Sequence, residues 1–246
     1  TDIALPKIKT IDIRKAHRKK QMKKQIAPEM HIAIEETLAR GKQVILFQNR
    51  RGYSPVLSCG TCAYTPNCKS CDVSLAYHKW NNHLKCHYCG YTEQVPEVCP
   101  SCTAKDFSDK GFGTEQIEES LKELLHEYVT KRMDYDTTRG KNAHQQIITD
   151  FEQGRIVILV GTQMVTKGLD FDNVALVGIL NADSMLHFPD FRAYERAFQL
   201  MMQVAGRAGR KGKQGKDLIQ TYDEEHEMFS LLKKNDFATF IKQQVE

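Results

Sequence analysis

Eight cysteines in this 246-residue chain fall into four C-x2-C pairs, Cys59/Cys62, Cys68/Cys71, Cys86/Cys89 and Cys99/Cys102. A C-x2-C turn lets two sulfurs converge on one metal, and eight thiolates make two tetrahedral sites of four. Zinc is the metal expected. Iron–sulfur ligation uses the same donors, and disulfides are a third reading that nothing else in the sequence favours. Between Cys71 and Cys86, residues 73–78 and 83–85 read as two strands around a turn at Lys79-Trp80-Asn81-Asn82. A hairpin brings its ends together. Cys68, Cys71, Cys86 and Cys89 are therefore expected at one zinc, and Cys59, Cys62, Cys99 and Cys102 at the other. Four thiolates fill each tetrahedron, which leaves His83 and His87 as surface residues and makes both sites structural.

Regular α/β order surrounds this block. Strands are expected at residues 5–13, 44–47, 129–135, 156–160, 174–180 and 218–222. Helices are expected from Pro28 to a stop at Gly41, from a Thr114 cap to about His126, at about 141–151, from Phe191 to Ala205, and from about Glu225. Alternation of this kind implies a parallel sheet covered by helices on both faces. The domain boundaries that follow are 1–53 and 109–222 for the two parts of one α/β unit, 54–108 for an inserted β-rich module, and 223–246 for a helical C-terminal segment.

Composition is that of a globular protein, with 41% hydrophobic and 27% charged residues and no run of 18 apolar residues to span a membrane. The net charge of +4 hides an asymmetry: residues 1–28 carry about +7, so the remainder is mildly acidic. Any nucleic-acid contact is expected to be local, and the Arg14–Lys24 run is expected to be solvated or mobile. The chain begins at Thr1 rather than Met, which reads as a piece of something longer.

Three polar stretches follow buried strands, where open α/β sheets place ligands. Asn49-Arg50-Arg51-Gly52-Tyr53 follows the second strand. Gly161-Thr162 opens a loop that runs to Gly168 and Asp170. Gln203-Val-Ala-Gly-Arg207-Ala-Gly-Arg210 ends the apolar helix. Two arginines three residues apart on a helix share a face among small neighbours, and a guanidinium fork suits a phosphate.

Four segments carry a resemblance: LFQNRRGY (Leu46–Tyr53), GTEQIEESL (Gly113–Leu121), GTQMVTKGLDF (Gly161–Phe171), and DFRAYERAFQLMMQVAGRAGRKGKQG (Asp190–Gly215). With the eight-cysteine insertion after the first, they resemble the second RecA-like lobe of a superfamily 2 helicase. More narrowly, they are similar to the primosomal protein N′ family of replication-restart helicases. The resemblance implies an ATP-driven 3′→5′ DNA helicase of the bacterial cytoplasm and nucleoid. Its partners would be forked or single-stranded DNA, primosome proteins and single-strand-binding proteins, and its zinc module would serve fork and partner binding. By motif position it assigns Arg210 as the arginine finger, with Arg207 and Gln203 beside it. Gly168 and Asp170 would couple the nucleotide cleft to the DNA path. Thr162 and Thr114 would contact the DNA backbone, with Arg50 and Arg51 as DNA or interlobe contacts.

ATP and Mg²⁺ need a P-loop and an acidic magnesium motif. No G-x4-G-K-[ST] occurs, since Gly41-Lys42, Gly140-Lys141, Gly212-Lys213 and Gly215-Lys216 all lack the following Ser or Thr. Asp223-Glu224-Glu225-His226 has the letters of the magnesium motif but follows the arginine segment, and reads as acids at a helix start. The chain alone is therefore expected to lack ATPase activity. The competing reading is a stand-alone zinc-ribbon adaptor that binds nucleic acid or protein without ATP chemistry.

Overall fold

The computed structural model describes residues 7–49, 56–62, 64–71, 73–78, 81–108, 113–135, 137–140, 142–166, 171–188, 190–208 and 215–245. In chain order the first half runs β1 (Lys7–Asp12), α1 (Ile13–Arg18), α2 (Pro28–Ala39), β2 (Gln43–Phe47), β3 (Ser58–Cys59), β4 (Ala76–His78), β5 (His83–Lys85), β6 (Thr92–Gln94) and β7 (Phe107–Ser108). The second half runs α3 (Thr114–Leu124), β8 (Thr130–Met133), α4 (Ala143–Glu152), β9 (Ile158–Gly161), β10 (Val174–Ile179), α5 (Asp183–Leu186), α6 (Ala193–Ala205), β11 (Lys216–Thr221), α7 (Glu227–Lys234) and α8 (Phe237–Val245).

Six of these strands form one parallel sheet in the order β1-β11-β10-β2-β9-β8. Its central strand explains why both faces are covered. Every residue of β2 is buried, and successive side chains point to opposite faces. Ile45 and Phe47 join the core beneath α4, α5, α6, α7 and α8, whereas Val44 and Leu46 join the core beneath α1, α2 and α3. This is the RecA-like two-faced sheet. At about 25 cal/mol per Å² of apolar surface removed from water, these two cores are the main favourable term in its folding.

Local chemistry sets the element ends. Pro28 occupies the first turn of α2, where its missing N–H is not needed. Just beyond that helix, Gly41 takes a φ of 67°, a conformation that favours glycine.

Four details differ from the sequence expectation. The residue capping α3 is Gly113, and Thr114 is the first helical residue. The C-terminal helix is two helices, because Asn235 adopts a left-handed φ of 54° between α7 and α8. The basic run is largely exposed, in keeping with a solvated segment, and is partly helical: α1 is capped by the Asp12 carboxylate, Lys15 pairs with Asp12 and Glu224, and Lys24 pairs with Glu123. Finally, α6 starts at Ala193 rather than Phe191, while it ends at Ala205 as expected, and the Gly206 N–H closes onto Met202 O. Arg207 therefore lies in a turn beyond the helix rather than on its face.

Between β2 and α3 sits the small β-rich insertion. The antiparallel pair β3–β7 brings its entry and exit strands together, and β4-β5-β6 form a separate antiparallel sheet. Its core is small: Leu57, Val73, Leu75 and Leu84 with Cys68 and Cys86. So little apolar surface needs a further tie to hold it.

Candidate functional site

The eight cysteine sulfurs gather into two groups of four, Cys59/Cys62/Cys99/Cys102 and Cys68/Cys71/Cys86/Cys89, with the atoms of each group within 4.8 Å of one another. The β4–β5 hairpin produces the inner group, and the β3–β7 pairing brings the outer pairs together around it. None is disulfide-bonded. Sulfurs lie 3.6 Å apart between Cys59 and Cys102 and between Cys62 and Cys99, and 3.5 Å apart between Cys68 and Cys89. A tetrahedron with Zn–S bonds of about 2.3 Å has edges of about 3.8 Å, so the donor sets fit zinc. Hydrogen bonding with the Cys89 thiol, with burial behind it, pushes the Cys71 thiol up to about 12. Burial also opposes ionisation of Cys86, but the N–H groups of Cys89 and Tyr88 bring it down to about 7. Four thiolates gathered within 4.8 Å of one another repel, and a bound cation holds such a group together.

A second set of groups lines the carboxyl ends of the sheet strands. Thr162 is half-buried at the end of β9, where a 3-10 turn (Gln163–Thr166) folds back. Gly161 permits that fold, since a Cβ there would lie 2.2 Å from Val165 Cγ1 and 3.0 Å from Met133 O. After β8, Asp134 is buried and accepts the Thr114 hydroxyl at 2.6 Å and the Thr137 N–H at 3.0 Å. Burial alone would raise its carboxyl, but those hydrogen bonds and Arg132 outweigh it and hold the group below the usual carboxylate range. At the start of α5, Asp183 accepts the Tyr222 N–H at 3.0 Å and the Thr221 hydroxyl at 3.1 Å, fastening the end of β10 to that of β11. Burial pushes Asp183 up to about 6 despite both bonds.

The family model described as the PriA DNA helicase Cys-rich region (CRR) domain matches residues 68–94, and the helicase conserved C-terminal domain matches residues 102–212. Replication restart protein PriA of Bacillus subtilis is 44% identical over 98% of this chain, that of Synechocystis 40% over 98%, and that of Haemophilus influenzae 40% over 96%. The chain belongs to the PriA family. It spans 30%, 29% and 32% of the length of those three relatives. Among solved structures, S. cerevisiae Dbp5 bound to RNA and ADP BeF3 aligns with 100% of this chain and 46% of that chain, at 13% identity and a TM-score of 0.45.

The PriA motif residues are placed unequally. Gln203 is exposed in the last turn of α6, and Arg207 is half-buried just after it. Ala208 is buried against Gly215 at the start of β11. Arg210, Gly168, Asp170, Arg50 and Arg51 lie outside the described residues. Thr114 is fully buried and its hydroxyl is given to Asp134. This side chain is thus occupied in joining α3 to β8.

Sequence reasoning missed several polar residues. Gln48, 2% exposed at the end of β2, has a side-chain oxygen without a hydrogen-bond partner among the described residues, as does Asn49. In β11, Asp217 is 2% exposed with both carboxylate oxygens unpartnered among the described residues, and burial pushes its carboxyl up to about 9. A clue existed for Gln48 and Asn49, which open the NRRGY loop; none existed for Asp217.

Proposed function

We propose that this chain is the second helicase lobe of an ATP-dependent 3′→5′ DNA helicase acting in replication restart and primosome assembly. The observation that carries the reading is the insertion of two four-cysteine groups between β2 and α3 of a parallel sheet whose helix α6 leads into the arginine segment. The other lobe of the full-length protein would hold ATP and Mg²⁺, which would supply the phosphoryl-transfer chemistry. Arg210 would serve there as the finger, with Arg207 and Gln203 beside it in the motif. Gly168 and Asp170 link that cleft to the DNA path. The DNA backbone is met by Thr162, by Thr114 at the start of α3, where helix ends favour anions, and by Arg50 and Arg51.

The two cysteine groups hold structural zinc. The module they fold serves forked or single-stranded DNA, primosome proteins and single-strand-binding proteins in the bacterial cytoplasm. The module is placed at 54–108, a reading supported by the pairing of β3 with β7, and no described helix is long and apolar enough to cross a membrane.

The reading is tested in the full-length parent with Arg210→Ala. An arginine finger contributes roughly 10³–10⁵ in rate, so DNA-stimulated ATP turnover should fall by a large factor while ATP binding persists. Normal turnover removes Arg210 from the finger role. The chain alone should bind DNA weakly and hydrolyse no ATP above background.

A further inference from the structure

Tyr88 lies inside the Cys86–Cys89 knuckle of the inner cysteine group, yet it touches the α/β sheet domain. Its hydroxyl accepts the main-chain N–H of Phe191 at 3.3 Å. The two rings meet edge-on, with centroids 5.9 Å apart and planes at 79°. Tyr88 is 50% exposed and Phe191 70% exposed. Each would be a lone apolar ring on the surface without the other, and an edge-to-face pair adds about 0.5–1.5 kcal/mol beyond the area it buries.

Phe191 stands two residues before α6. That helix begins without a side-chain cap at Arg192, so its entry is held by neighbours. Asp190 accepts the Arg192 N–H at 2.8 Å and pairs with Arg196, while Arg192 forks onto Glu195 through two bonds of 2.9 Å. The contact with Tyr88 is the part of this entry supplied by the inserted module. At its other end, α6 delivers Gln203 and the turn carrying Arg207. A helix of 13 residues is a rod of about 20 Å.

We propose that Tyr88 is a positioning residue that docks the inner metal site onto the start of α6, so that occupancy of that site orders the helix entry. The physical reason is local. Binding of one ion by all four inner thiols couples the knuckle's direction to the metal, and the apolar core around Cys68 and Cys86 that otherwise holds it is small. When the ion leaves, the Tyr88 hydroxyl loses its place and the Phe191 N–H loses its acceptor. The inference rests on the reading of the inner cysteine group as a zinc site.

Backbone amide exchange by NMR on the metal-loaded chain, with bound zinc counted in the same sample, tests it. Tyr88→Phe keeps the ring and all eight thiols but removes the acceptor. Exchange at Phe191 should then rise about threefold to tenfold, the span expected for one lost hydrogen bond, at an unchanged two zincs per chain. Chelating the metal should raise Phe191 exchange in the native chain by at least as much, and by clearly less in Tyr88→Ala. Unchanged Phe191 exchange in the two-zinc Tyr88→Phe chain overturns the docking contact. An equal response to chelation in Tyr88→Ala and the native chain overturns the coupling. A chain isolated without zinc, whose Phe191 protection is still lost in Tyr88→Phe, overturns the metal-site reading and the coupling but leaves the contact standing.

Discussion

The Thr114 hydroxyl donates to Asp134 Oδ2 at 2.6 Å, with both side chains buried, so the first turn of α3 is locked to the end of β8. Asp134 also takes the Thr137 N–H, which binds the loop after β8 into the same joint. Removing one partner leaves a buried acceptor short of a donor, a loss of about 1–3 kcal/mol. Thr114→Val should therefore lower the melting temperature by several degrees in calorimetry, while Thr114→Ser should recover most of it. The sign with pH follows from the depressed Asp134 carboxyl. Its contribution is present above the ordinary carboxyl range of about 4 and is lost as pH falls below it, and Thr114→Val should blunt that acid loss.

Asp217 titrates in the opposite sense. Its carboxyl is pushed up to about 9 by burial between the β1 and β10 positions of Ile8 and Val177. The unfolded chain releases this proton near pH 4. The contribution to stability is thus full below about pH 4, declines as pH rises, and is gone above about 9. Asp217→Val should raise the melting temperature at neutral pH and flatten its fall between pH 5 and 9. Denaturant melts of both chains across that range check it, and a native chain whose stability is flat there would contradict the assignment.

Gly215 and Gly178 are both crowded, but by different kinds of neighbour. A Cβ at Gly215 would fall 2.2 Å from the carbonyl carbon of Ala208 and 2.5 Å from its oxygen. Main chain cannot move aside without displacing the arginine turn. A Cβ at Gly178 would meet Leu46 Cδ2 at 2.7 Å and Met30 Sδ at 2.9 Å, the ends of adaptable side chains. Gly215→Ala should cost about 1–3 kcal/mol and Gly178→Ala less, as read by chemical denaturation.

Metal analysis should separate the two cysteine groups. Cys68→Ser breaks only the inner group, so bound zinc should fall from two to one per chain by mass spectrometry under native conditions. Chelation should unfold the inserted module while leaving the six-stranded sheet, whose two cores contain no cysteine. Loss of both ions in Cys68→Ser would mean that the groups fold as one unit.

The sheet strands and the nested cysteine grouping were legible because their signals are local. Val44 to Phe47 is apolar without interruption, as a strand buried on both faces must be. The hairpin between Cys71 and Cys86 needs only a turn to bring its ends together. The helix boundaries were less legible where a single backbone angle decides, as at Asn235, or where the entry is set by tertiary neighbours, as at Ala193.

The sequence by itself determined the alternating α/β order, the donor chemistry of eight paired cysteines, and the motifs that place the chain in its family. Each of these depends on residues close along the chain. Only the tertiary structure decided that Thr114 spends its hydroxyl on Asp134, that Asp217 is buried with no partner among the described residues, and that Tyr88 meets Phe191 from 103 residues away. Those outcomes depend on which strand lies beside which and on which face an inserted module settles, and no spacing along the chain encodes either.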